Sequence, residues 1–236
     1  MCYLLHMGES VVTPRPLRAD AARNRARILT AAAEVFAERG LDVTLDDIAA
    51  HAGLGVGTVY RRFADREALV EALFDDRMQV KLARLRLALE VPAEQAYDAF
   101  VEVTREMCEH LAYDRGMRQV MLSSVYGHDE VARCRDEMTV IGDELVQRAK
   151  ATGKLRADFE ATDLAAIMLM IGAIADFASV VAPDLWRRYF DMIIDGLRPP
   201  AAGAPGFSVG APMCGPALAQ DDLLAAMQSW RPAALR

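Results

Sequence analysis

The stretch "LDVTLDDIAAHAGLGVGTVYRRFADR", residues 41–66, decides how the chain is read. Thr44 stands just before an apolar-spaced run whose first turn carries Asp46 and Asp47. A hydroxyl at the N-cap followed by carboxylates at the positive end of the dipole marks a helix start. That run ends near Ala52-Gly53, and a second, covering roughly Val56 to Phe63, follows Leu54-Gly55. A helix so short is marginal in water on its own, so its neighbours must hold it in place. Two short helices joined by Ala52-Gly53-Leu54-Gly55 form a helix-turn-helix, with Ile48, Ala49, Leu54 and Val59 making the contact between them. Glycine in the turn permits backbone angles that a Cβ would penalise. Stacked on a preceding helix, the pair can offer its second member to a DNA major groove.

Outward from this stretch, apolar spacing is helical nearly everywhere, and no alternating strand pattern emerges, so the fold class is all-α. The expected helices run from about 20 to 39, 45 to 52, 56 to 63 and 66 to 89, where Pro92 interrupts. Further helices are expected at about 93 to 112, 115 to 125, 128 to 151, 159 to 181 and 184 to 197. The domain plan that follows is a flexible basic arm over 1–19 and a three-helix DNA-binding head over 20–66. A helical ligand-binding and dimerisation domain covers 67–198, and a Pro/Gly/Ala-rich flexible tail covers 199–236, where DDLLAAMQSW forms a last short helix.

Of 236 residues 53% are hydrophobic and 26% charged, enough apolar mass for one large or two modest cores. The net charge of −7 at first opposes a polyanionic partner, but the balance is +1 over residues 1–66 and −8 over the rest. Arg15, Arg18, Arg23, Arg25 and Arg27 crowd the start, either as an arm that touches DNA or as a basic tail. Cys2, Cys108, Cys134 and Cys214 are scattered, with no metal-ligand spacing or disulfide framework, which fits a reducing cytoplasm. The opening MCYLLH lacks a basic region and a cleavage site, so no secretory signal is expected, and Met7 is an alternative start. The apolar run 164–175 is too short for a membrane span and reads as a buried helix, so no membrane partner is expected.

The run from Ile28 to Phe74 resembles the N-terminal domain of the tetracycline-repressor (TetR) family of bacterial regulators. The shared signals are Phe-Ala-Glu-Arg-Gly at the end of the first helix, then Thr-x-x-x-Ile-Ala, Gly-x-Gly-Thr-Val-Tyr-x-x-Phe and Arg-Glu-Ala-Leu. The resemblance implies that Thr44 and Tyr60 contact phosphates while Val56, Gly57, Thr58 and Arg61 lie along the groove. Arg62 stands where many members have histidine, and Arg66 takes the usual lysine position beside a phosphate. The residue chemistry agrees, since hydroxyl, phenol and guanidinium groups fix a protein on a duplex, and arginine also reads guanine.

The resemblance further implies a small-molecule pocket in the second domain. Met107, Cys108, Leu111, Met117, Met121, Tyr126, Met138 and Ile141 are the candidate lining, because methionine fills irregular apolar space, although a methionine at helical spacing is more often plain core. Asp176 sits in an otherwise apolar helix and must meet a partner, a ligand or solvent, with an interface partner preferred. Its helix is apolar on nearly every face, which suits a homodimer interface where Ala165, Ala166, Gly172 and Ala173 let backbones approach. Two heads on a twofold axis then read a palindromic operator in double-stranded DNA.

Glu106 and His110, four apart on one helix face, invite a metal-enzyme reading, but no second such pair completes it. No nucleophile elbow, phosphate-binding loop or zinc-protease motif occurs, so neither catalysis nor a cofactor is expected. A helical adaptor would leave Thr44, Tyr60, Arg61 and Arg66 without a reason to converge. The expected function is a transcriptional repressor released by an unknown small-molecule effector; an activator of the same fold is the alternative.

Overall fold

A computed structural model describes residues 15–122, 130–199, 213 and 215–229. Ten α-helices and no strand are present among the described residues: α1 (Arg15–Arg39), α2 (Leu45–Ala52), α3 (Val56–Tyr60), α4 (Arg66–Leu89), α5 (Ala96–Tyr113), α6 (Arg115–Leu122), α7 (Glu130–Ala151), α8 (Ala161–Ala178), α9 (Leu185–Gly196) and α10 (Gln220–Ser229). One 3-10 turn, Ala93–Gln95, leads into α5 after Pro92.

Local signals account for most of these boundaries. Gly40 and Gly53 end α1 and α2 at φ of 76° and 62°, a region where a Cβ is penalised. The Thr44 hydroxyl accepts from the Asp47 amide at 3.1 Å, and the Asp47 carboxylate accepts from the Thr44 amide at 2.9 Å. This reciprocal box satisfies two helix-end donors and is worth about 1 kcal/mol. Asp65, extended at φ −151°, caps α4 by accepting from the Ala68 amide at 2.8 Å.

Several boundaries differ from expectation by a few residues, two of them in the head. α1 starts at Arg15, so residues 15–19 of the expected arm are helical, continuous with the rest of α1; residues 1–14 lie outside the described region. α3 ends at Tyr60 because Arg62 and Phe63 both donate their amides to the Val59 carbonyl at 2.9 Å, turning the chain so that Phe63 enters the core.

One apolar core runs through the molecule. Ile28, Phe36, Ile48, Val59 and Phe63 bury the inner faces of the first three helices against Leu69 and Phe74 of α4, with the Phe36 and Phe74 rings stacked at 6.4 Å. Further along α4, Met78, Leu82 and Leu85 continue the same cluster toward Met138, Ile141 and Leu145 of α7. α4 packs on α1, α5 and α7, so it belongs to both halves. α6 lies across α1 at Gly116, where a Cβ would stand 2.8 Å from Phe36 Cβ. α8 is long and apolar enough to cross a membrane by composition alone, yet its Ile167, Met168 and Ile171 are buried in this core.

Candidate nucleic-acid interface and effector cavity

α3 is held from behind and open in front. Val59 is fully buried and Phe63 nearly so, while Val56, Gly57, Tyr60, Arg61 and Arg62 are exposed together and Thr58 is half-buried. Tyr60 keeps 49% of its surface free, with its phenol on the outer face. Arg61 Nη2 lies 3.4 Å from the Thr58 hydroxyl, which steadies its guanidinium along the helix. Gly57 has no positive φ, and a Cβ built on it meets nothing within 4 Å. Nothing in its own chain therefore calls for glycine at that position, which stands on the outward surface where a partner backbone would approach.

Two other expected contact residues are engaged inside the head. The Thr44 hydroxyl donates its proton to Asp47 Oδ2 at 2.6 Å, closing the cap of α2. That hydroxyl, its backbone amide and then Arg39 hold the Asp47 carboxyl below its ordinary range. Arg66 is only 30% exposed; it donates from Nη1 to the Leu41 carbonyl at 3.0 Å and lies near Asp42 and Glu67. Its side chain fastens the loop after α1 to the start of α4. Arg27, one of the arginines crowded near the start, is a clamp, donating from Nη2 to the Ala52 carbonyl at 2.8 Å at the end of α2. His51 Nε2 meets Glu34 at 2.7 Å, a second tie between α2 and α1.

A cavity of about 580 Å³ opens between α4 and α5 and reaches the start of α6. Leu85, Val103, Met107 and Met117 form its apolar wall. Its polar side is more elaborate than a methionine-lined pocket: Arg84 grips Glu106 through two bonds of 2.9 Å, and Arg77 meets Asp114 at 2.8 Å. Between them stands Lys81, whose ammonium burial pushes down to about 8, with Asp114 and Glu106 raising it and Arg77 lowering it. Asp114 also accepts from the Met117 amide at 2.7 Å, capping α6. Gln119 of that helix accepts from the Leu41 amide at 2.5 Å beside Gly40, linking the cavity's floor to the head.

Of the eight expected lining residues, Met107 and Met117 line this cavity. Cys108, Leu111, Met138 and Ile141 are buried in the core, Met121 packs partly buried against it, and Tyr126 lies outside the described residues. Burial pushes the Cys108 thiol up to about 12, so it is an inert core group. Apolar type predicted these residues, and type alone does not separate a wall from a core. Lys81, Arg77 and Arg84 were missed; their spacing on one face of α4 was the available signal. Glu106 and His110 do not form a metal pair: Glu106 holds Arg84, and His110 Nδ1 donates to the Glu106 carbonyl at 2.6 Å. Among the described residues no group of three His, Cys, Asp or Glu is placed to hold a metal ion.

The expected dimer residues divide. Ala166 and Ala173 are exposed and Ala165 is half-buried, on a stripe of α8 that continues through Met170, Phe177, Val180 and Val181. Phe177 is 88% exposed and Val180 93%, and Tyr189 and Met192 of α9 add to this apolar face. Gly172 and Asp176 serve the chain itself. A Cβ at Gly172 would lie 2.4 Å from Arg118 Cδ, and buried Arg118 donates to Asp176 Oδ1 at 2.6 Å and to the Leu111 carbonyl at 2.6 Å. Arg118 is thus the partner that Asp176 needs, inside one chain, because a buried guanidinium is stable only when paired.

Comparison with known proteins agrees with this architecture. The profile described as "Bacterial regulatory proteins, tetR family" matches residues 28–73, and "Transcriptional regulator SbtR-like, C-terminal domain" matches residues 95–199. A TetR transcription regulatory protein from Mycobacterium vanbaalenii is 33% identical, with a TM-score of 0.50 over 78% of this chain and 99% of that one. A TetR transcriptional regulator from Streptomyces coelicolor is also 33% identical, with a TM-score of 0.50 over 75% and 99%. The HTH-type transcriptional regulator UidR of Escherichia coli is 25% identical over 73% of this chain and 89% of its own length. The outward α3, the helical second domain and the relatives that share both place the chain in the TetR family of bacterial transcriptional regulators.

Proposed function

We propose that the protein is a homodimeric, cytoplasmic repressor that holds a palindromic operator through α3 and lets go when a small molecule fills the cavity between α4 and α5. The observation that carries this reading is the α3 surface: Gly57, Tyr60, Arg61 and Arg62 exposed side by side over a fully buried Val59. Tyr60 and Arg62 are the donors to phosphate, and Thr58 and Arg61 face base edges, where arginine pairs bidentately with guanine. Thr44 and Arg66 support that surface from within the head.

In this reading residues 15–66 form the head and 67–198 the effector and dimer domain, with α4 common to both. The apolar face of α8 and α9 is the dimer contact, since exposed apolar patches of this kind mark protein interfaces. The protein acts by occupying DNA, not by catalysis. Selecting bound duplexes from a random pool tests the reading. An enriched inverted repeat supports it, whereas an unenriched pool, or a single half-site bound by a monomer, overturns it.

A further inference from the structure

We propose that the effector is an amphipathic monoanion, a single carboxylate on an apolar body, whose acid group pairs with Lys81. The inference rests on the cavity being the effector site and adds the chemical class of its ligand.

Three cations of α4 line the cavity, and two of them are spent. Arg84 is matched to Glu106 and Arg77 to Asp114, each at normal charge-assisted distance. Lys81, one turn after Arg77 and one before Arg84, has neither an ion pair nor a hydrogen bond among the described residues. The charged lining is therefore Arg77, Lys81 and Arg84 against Glu106 and Asp114, with His110 at the edge, an excess of one positive charge inside the cavity; outside the lining, the exposed Glu102 meets Arg84 at 3.4 Å and leaves Lys81 unpaired. A partly buried ammonium without a counter-charge is unfavourable, and burial does lower its proton affinity here.

Ligand classes can be ranked on this lining. A cation would meet Lys81 while both carboxylates are already gripped by guanidinium groups. A neutral apolar molecule would cover Leu85, Val103, Met107 and Met117 but desolvate Lys81 further without compensation. A dianion would exceed the single available charge. A monocarboxylate with an apolar body matches both halves of the lining, and about 580 Å³ is within the range of sites for small organic ligands.

The test is calorimetric titration of the full chain with sodium decanoate, 1-decanol and decylamine, which share an apolar body and differ in charge. Decanoate is expected to bind about tenfold or more tighter than decanol, the scale of one charge-assisted contact, with decylamine weakest. Lys81→Met should bring decanoate down to decanol while leaving decanol unchanged, and Lys81→Arg should keep most of the difference. Raising the pH from 7 to 9.5 should shrink the difference in the wild type, as Lys81 loses its proton, but not in Lys81→Arg. Equal binding of decanoate and decanol by the wild type, or a preference that survives in Lys81→Met, overturns the anion assignment and leaves the cavity reading standing. Failure of all three probes to bind overturns the cavity reading, and this inference with it.

Discussion

The outer face of α3 and the wall of the α4–α5 cavity treat polar side chains in opposite ways. On α3 and the turn after it the arginines, the phenol and a contact-free glycine face outward, and the residues that secure the helix are apolar ones behind it. In the cavity most charged groups secure one another, and Lys81 is left over. In the proposed reading both places work through surplus: polar capacity or bare backbone that the fold itself does not use. Thr44, Arg66 and Asp176, which looked functional by type, each also make hydrogen bonds that support the structure around them.

The largest effect should come from removing the α3 surplus. Tyr60→Ala with Arg62→Ala should weaken binding to the selected duplex by about 1–3 kcal/mol per contact, and flatten the salt dependence through the lost Arg62 phosphate contact, with the helical circular dichroism unchanged. Fluorescence anisotropy across a salt series checks both, and an undiminished affinity would break the contrast at its first term. Next in size is a glycine whose space is already taken. Gly172→Ala drives a methyl into Arg118, which is fixed at both ends, and should cost about 1–3 kcal/mol in urea unfolding.

Lys81→Met should act in the other direction, stabilising the unliganded protein by about 1 kcal/mol once solvent screening is allowed for. The sign follows from its lowered proton affinity. Between about 8 in the folded chain and 10.5 unfolded, the unfolded state binds more protons, so wild-type stability rises with pH across that window. Thermal unfolding of Lys81→Met should lack that rise. The smallest effect, and the sharpest, is at Gly57. Alanine there should stabilise the head by about 0.5–1 kcal/mol through helix propensity while weakening operator binding, since its methyl projects only toward the partner. A parallel change in stability and affinity would mean that Gly57 serves the fold after all.

What the sequence revealed was what neighbours in the chain settle between themselves. The Thr44–Asp47 box, the stops at Gly40 and Gly53 and the cap at Asp65 each span at most a few residues, and the helix-turn-helix is assembled from them. Arg27 on Ala52, Arg66 on Leu41 and Arg118 on Asp176 join residues 25 or more apart, and a guanidinium reads alike in sequence whether it will meet DNA or a carbonyl. The charged side of the cavity was illegible for a related reason. Methionine content pointed to apolar space, whereas the charged face of α4 meets the cavity only when α5 and the Asp114 corner are set against it.

α4 has a thermal consequence. Its 24 residues extend about 36 Å without interruption, from Leu69 and Phe74 beneath the head to Leu85 beside the cavity, all within a single apolar cluster. Among the described residues this cluster is continuous from the head to the cavity, so neither half is expected to melt alone. A scanning calorimeter should record one endotherm, with the calorimetric enthalpy equal to the van't Hoff value for each cooperative unit.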